Sequence, residues 1–400
     1  MEDLLLLIHR IPYPPNKGDK IRSYHLLKHL AQHYRVHLAT FVDDPDDWQY
    51  VPHVEALCAS SHFAPMKPLL ARARSLTALL KNRSLSLEYY RDAGLARWVD
   101  QTLAVHDIER VLVFCSPMAQ YAEHHRGARR VIDFCDIDSE KWRQYAEQKS
   151  FPMNLVYRYE ARQLLRYERQ VARDYDASLF VSAPEAELFR RLAPESSPKI
   201  GYFSNGVDTD YFSPDLAHAS PYPAGERALV FTGAMDYWPN IDAVKWFAAE
   251  VFPALRQRFA DVRFYIVGSR PAPAVQALAQ QDGIVVTGTV PDVRPYIAHA
   301  AAAVAPLRIA RGVQNKVLEA MAMATAVVVS PQALEGIDAV PGSELVLAED
   351  GPAFVDACAA LLEGQASASA AIGSAARAKV QRRYSWSSNL ACVGESLECS

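Results

Sequence analysis

Two kinds of hydrophobic pattern alternate along this chain. Short, nearly unbroken apolar runs punctuate the first half: "LLLLIHRI", "VHLATFV", "RVLVFC", "RVIDFC" and "ASLFVS". The second half repeats the rhythm more tightly with "ALVFTGA", "VRFYIVG", "IVVTG", "AAVAPL" and "AVVVSP". These runs lack the polar alternation of a strand with one wet face, so they predict strands buried on both faces. Helical spacing fills the gaps. "IRSYHLLKHLAQHY" places apolar residues at Ile21, Tyr24, Leu27 and Leu30, and an arginine-rich amphipathic segment runs from about Asn154 to Tyr175. "NIDAVKWFAAEVFPALRQRF" and "VRPYIAHAA" follow. Strands alternating with helices predict an α/β architecture of parallel sheets, and two such series predict two doubly wound, Rossmann-like domains.

The join is expected in "KIGYFSNGVDTDYFSP", where Asn205-Gly206 is a turn signal and Pro214, Pro221 and Pro223 follow. The expected domains are 1–204 and 205–378, with 379–400 as one more helix. Composition agrees: 400 residues, half of them hydrophobic, suffice for two cores. Charged residues are 22% and the formal net charge is −4, which gives no argument for a nucleic-acid partner. The six cysteines form no C-x-x-C pair or zinc spacing, so a reduced cytoplasmic setting is expected. Glu2 and Asp3 precede the first apolar run and Arg10 and Pro12 close it, as for a strand rather than an export signal. No window reaches the roughly 18 apolar residues of a membrane span.

Doubly wound sheets bind ligands outside the carboxyl ends of their strands, at the switch point. With two sheets, a shared cleft is the expected site. G-x-G-x-x-G behind a strand, G-x-x-x-x-G-K-[ST] and G-x-S-x-G are all missing, which removes the usual dinucleotide, P-loop and hydrolase signatures. Only 17 glycines occur, which singles out Gly18, Gly233, Gly268, Gly288 and Gly312.

The most informative stretch is "RIARGVQNKVLEAMAMATAVVVSP", Arg308 to Pro331. A helix starting near Val313 or Gln314 would aim free N–H groups and its positive end at an anion such as a diphosphate. Lys316 adds a mobile cation, and Arg308 and Arg311 stand in the preceding loop. Glu319 suits a ribose diol, because a carboxylate accepts from two hydroxyls. A plainer reading stands beside this one: Glu319 complements the helix dipole and Lys316 is solvated.

"NKVLEAMAMATAVVVS", together with "SNGVDTDYFSP", "VFTGAMDYWPN", "FYIVG" and "GTVPDV", resembles the GT-B glycosyltransferases of family 4. "PYPPNKGDKIRSYHLLKHL" and "VIDFCDIDSEKW" resemble the PEP-CTERM/exosortase-associated sugar transferases of exopolysaccharide loci. The resemblance implies an N-terminal acceptor domain, a C-terminal donor domain and a last helix packing back on the first. It implies retaining transfer from a UDP- or GDP-sugar to a glycan or lipid-linked glycan, with no required cofactor or metal. By that resemblance Glu319 binds the donor ribose, while Lys316, with Gln314 and the amides of Val317 and Leu318, lies at the diphosphate. Gly233 ends the first donor-domain strand, Val290 lies in the base-holding loop, and Gly18 matches the glycine loop facing the phosphates and acceptor. Two departures stand out. Arg311 occupies the position eight before Glu319 where the family often has a second glutamate. After Gly233 the usual arginine and lysine are missing, so leaving-group charge would fall to Lys316, Arg308, Arg311 or Lys17.

Asp133 lies within "RVIDFC", and Asp136 and Asp138 lie just past it in "DFCDIDSEK". Asp136-Ile137-Asp138 is formally a D-x-D, but three-letter matches are cheap, and Asp208-Thr209-Asp210 is another. Asp136 and Asp138 are candidates for acceptor contact or proton acceptance, against a plain role in a helix cap. His25 and His29 need only a helix surface to explain them. Residues 66–91 mix leucines with Lys67, Arg72, Arg74, Lys81 and Arg83. They read either as peripheral contact with the inner face of the plasma membrane or as an ordinary helix pair. Two further functional readings share the fold: a nucleotide-sugar 2-epimerase, and a decayed nucleotide-binding scaffold.

Overall fold

The computed structural model describes residues 1–15, 17–310, 312–364 and 366–398. The chain forms two compact units, one of Met1–Ser204 with the residues from Leu390 onward, the other Asn205–Asn389.

The first unit holds a seven-stranded sheet. Its strands are β1 (Asp3–Ile8), β2 (Arg35–Val42), β3 (Ser60–Pro65), β4 (Arg110–Phe114), β5 (Arg129–Cys135), β6 (Ala177–Phe180) and β7 (Ile200–Tyr202). Their order is β3-β2-β1-β4-β5-β6-β7, and every pairing is parallel. The second unit adds β8 (Arg227–Thr232), β9 (Val262–Val267), β10 (Ile284–Gly288), β11 (Ala302–Ala305), β12 (Val327–Val329) and β13 (Val346–Leu347). Their order is β10-β9-β8-β11-β12-β13, again all parallel. The apolar runs are explained by this placement: Leu4 to Ile8 in β1 and Val327 to Val329 in β12 are all buried. Each order reverses once, between β1 and β4 and between β8 and β11, and these reversals are the switch points.

Among the described strands, β3, β7 and β13 lay outside the apolar runs that the sequence offers. All three are sheet edges. The expected helix through "NIDAVKWFAAEVFPALRQRF" is two helices, Trp238–Glu250 and Phe252–Arg258. Pro253 starts the second, because proline has no N–H to extend the first. The expected single helix 379–400 is also two, Ala366–Arg383 and Trp386–Glu398. They part at Tyr384–Ser385, where the chain extends to pair with Val207: the Val207 amide donates to the Tyr384 carbonyl at 2.8 Å.

One buried ion pair ties the first unit together. Arg22, on the helix Gly18–His33, donates from Nε to Oδ2 of Asp133 on β5 at 2.7 Å, and both are shut off from solvent. Arg22 also donates to the Phe203 carbonyl at 3.0 Å and lies 3.5 Å over the Phe203 ring. Asp133 is therefore a framework residue, separated in role from Asp136 and Asp138.

Candidate functional site

In the second unit three neighbouring strands end in glycine at the same rim: β8 at Gly233, β9 at Gly268 and β10 at Gly288. All have positive φ, at +153°, +156° and +70°. The Gly268 amide donates to the Gly288 carbonyl at 3.2 Å, and a Cβ on Gly268 would sit 1.6 Å from the Gly233 oxygen. A side chain is impossible there without moving β8.

The helix Asn315–Ala322 opens toward this rim. Lys316 Nζ donates to the Asn240 side-chain oxygen at 2.5 Å and lies 4.4 Å over the Phe231 ring. Asn240 returns its amide to the Ala234 carbonyl at 2.8 Å. A Cβ on Gly233 would meet Asn240 Nδ2 at 2.8 Å and Lys316 Nζ at 3.3 Å. The bare glycine thus leaves room beside the ammonium at the end of β8. Asn240, which the sequence reading did not single out, aims it. The signal was present only as an asparagine six residues past Ala234.

Glu319 is one turn further along, part-buried, with no hydrogen-bond partner for its carboxylate among the described residues. Burial pushes Lys316 down to about 7, with Glu319 opposing the shift. Burial pushes Glu319 up to about 7, with Lys316 opposing. Burial, only partly offset by the opposite charge of the other, thus brings both groups to titrate in the neutral range.

Other expected residues fall differently. The helix begins at Asn315, later than Val313 or Gln314, with Gln314 as its cap. The amides of Val317 and Leu318 both donate to the Gln314 carbonyl, at 2.9 and 3.3 Å, and both side chains are core. They have no amide left for a phosphate, and the amides at the open end are those of Asn315 and Lys316. Arg308 is claimed by Asp242, to which Nε donates at 2.9 Å. Beside it is a recess of about 460 Å³ lined in part by Trp246, Glu250, Ser330 and Glu349. Neither Lys316 nor Glu319 lines it, and its carboxylates disfavour an anion. Arg311 lies outside the described residues. Val290 is part-buried in the loop after Gly288. The loop after Gly233 has a cation that arrives from the neighbouring strand: Arg270, two residues past Gly268, pairs with Asp236 at 3.0 Å.

In the first unit Gly18 is the first residue of its helix, capped by Lys17, and its backbone would accept other residues. A Cβ there would meet nothing within 4 Å. Asp19, beside it, accepts from Arg10 at 2.8 Å and pairs with His9 at 3.4 Å. Side-chain bonding to His9, reinforced by the charges of His9 and Arg10, outweighs burial and holds Asp19 well below the usual carboxylate range. His9 Nδ1 is buried without a partner among the described residues. Asp138 opens the helix Asp138–Gln148, and Lys141 joins it to Asp136, at 3.3 and 3.9 Å. Burial pushes the Asp136 carboxyl up, with Lys141 opposing. Asp136 and Asp138 thus share a lysine. The described residues close enough to hold a cation together are Asp3, His37 and His106, at the opposite strand ends.

Residues 226–364 match the family model described as "Glycosyl transferases group 1". The second unit carries a glycosyltransferase domain. The whole chain has the GT-B fold and is a glycosyltransferase. It superposes on sucrose-phosphate synthase from Thermosynechococcus elongatus at 17% identity, covering 99% of this chain and 98% of that one, with a TM-score of 0.68. It superposes on Anabaena Alr3699/HepE in complex with UDP-glucose at 15% identity and TM-score 0.66, covering 99% of each. WaaG, a glycosyltransferase involved in lipopolysaccharide biosynthesis, gives 15% identity and TM-score 0.67, covering 99% and 100%. Likeness at such identity shows the fold alone. No curated protein matches the chain by sequence.

Proposed function

We propose that this glycosyltransferase moves a sugar with retention from a UDP- or GDP-sugar to a glycan or lipid-linked glycan, in the assembly of an exopolysaccharide or other cell-surface polysaccharide. The observation that carries the donor reading is the Lys316–Asn240 pair over Gly233, with the Glu319 carboxylate one turn on and without a hydrogen-bond partner among the described residues. In this reading Lys316 and the amides of Asn315 and Lys316 receive the diphosphate, and Glu319 accepts from the ribose hydroxyls. Arg270 is the candidate for the cations missing after Gly233, once the leaving group's negative charge draws it from Asp236, its partner at 3.0 Å. HepE binds UDP-glucose, which favours UDP as the first nucleotide to try. The open face beside Gly18, with Asp136 and Asp138 past β5, is assigned to the acceptor. For retention the leaving phosphate itself takes the acceptor proton, so no protein nucleophile is needed.

Melting of the full chain with UDP, GDP, ADP and their sugars tests the donor site. A nucleotide at a hundredfold its dissociation constant stabilises by about 2.7 kcal/mol. One nucleotide is expected to raise the melting temperature of the wild type but not of Glu319→Ala. No shift with any nucleotide, or an equal shift in Glu319→Ala, overturns the assignment of Glu319.

A further inference from the structure

Residues 67–83 of the first unit reverse the usual arrangement of a surface helix. Two short helices, Pro68–Ser75 and Thr77–Lys81, meet at Leu76, whose backbone stays right-handed helical, so they run nearly as one. The face turned into the protein is alanine: Ala71 and Ala78, seven residues apart, are buried. The face turned outward is leucine. Leu69 is 80% exposed, Leu70 65%, Leu76 60%, Leu79 45% and Leu80 91%. Leu69, Leu76 and Leu80 fall at i, i+7 and i+11, one stripe of the helical surface. An ordinary amphipathic helix would bury these side chains and expose the alanines.

The segment is fixed in this pose. Glu160, buried on the helix Met153–Asp174, accepts from Ser84 Oγ at 2.7 Å and from the Ser86 amide at 3.0 Å. Tyr159 donates to the Ala78 carbonyl at 3.2 Å. One turn before Tyr159 is Leu155, exposed like Phe151 and Met153 at the same helix start. The start of that helix thus adds exposed apolar side chains of its own.

Its surroundings are basic. No acid occurs from Ala56 to Leu87. Glu88 is shared by Lys81, Arg83 and Arg91. Lys67, Arg72 and Arg158 are exposed, with no ion pair among the described residues. No described helix is long and apolar enough to cross a membrane. Leucines rimmed by uncompensated cations match the acyl boundary and headgroups of an anionic bilayer. We propose that the leucine face of residues 67–83 docks this protein on anionic lipid. The surface deepens the lipid-linked-acceptor reading and rests on it for its purpose. Vesicle binding needs no donor, so the two fail separately.

The test is sedimentation of the full chain with vesicles of phosphatidylcholine alone and of phosphatidylcholine mixed with phosphatidylglycerol. Binding is expected to the mixed vesicles, to weaken with salt, and to fall about tenfold or more in a Leu69→Ser, Leu80→Ser variant. Both leucines are exposed, so the variant should melt with the wild type and keep its nucleotide-dependent shift. A Lys67→Glu, Arg72→Glu variant should lose the preference for the charged vesicles. Equal binding to both vesicles, or binding unchanged by the leucine pair, overturns the proposal. So does failure to bind vesicles together with a dimer in sedimentation that Leu69→Ser, Leu80→Ser dissociates, which would assign the face to a second copy of the chain.

Discussion

At the residue scale the decisive pair is Lys316 and Glu319, one lowered and one raised, both to about 7 by burial. A diphosphate favours the charged lysine, so its arrival takes up a proton when the pH lies above the lysine's value in the free protein. Affinity should then fall as pH rises through about 7. Ribose hydroxyls favour the ionised glutamate, so their arrival releases a proton below its free value, and affinity should rise with pH across the same range. The two arms oppose each other, and the wild type should bind its sugar nucleotide best near neutrality. Glu319→Gln should leave only the falling arm and Lys316→Met only the rising one, measured by calorimetric titration of the sugar nucleotide across pH. If both variants keep the wild-type profile, the pair is not the donor's contact. Lys316 and Glu319 stood out in the sequence because they share one helical turn. Asn240 did not, because its partner is 76 residues away and only the fold joins them.

At the scale of elements, the glycine rim shows what the end of a strand must give up. Gly268 cannot carry a Cβ, because Gly233 is already there, whereas Gly288 has open space and only its positive φ to protect. Gly268→Ala should therefore cost more than the roughly 1–3 kcal/mol of a strained backbone, and Gly288→Ala should stay within it. Urea melts of the two variants check the order, and a smaller loss in Gly268→Ala would contradict the contact between β8 and β9. The apolar runs that betray strands are a consequence of burial on both faces, so interior strands were legible and β3, β7 and β13 were not. Edge strands such as "SSHFAP" face water on one side and carry polar residues there. Helix ends were the other loss. One break belongs to Pro253, which is visible in the sequence, but the break at Tyr384–Ser385 belongs to Val207, far away along the chain.

At the scale of the whole molecule, the two units have separate hydrophobic cores. One is built around Leu5, Val113 and Phe180, the other around Phe231, Phe264 and Val328. Domains with their own cores can melt as separate cooperative units. The Arg22–Asp133 pair lies wholly in the first. Removing one partner of a buried pair leaves the other charge stranded, at roughly 3–5 kcal/mol. Asp133→Ala strands Arg22, and also takes the Asp133 Oδ1 acceptor from the Cys135 amide. In calorimetry it should pull the first unit's transition to lower temperature and leave the second unit's in place. The sugar nucleotide should then raise the upper transition of Asp133→Ala as it does in the wild type, because Lys316, Asn240 and Glu319 all belong to the second unit. A single transition, lowered as a whole and raised as a whole by nucleotide, would mean that the two cores melt as one. A lower transition raised by nucleotide would move the donor contacts out of the second unit.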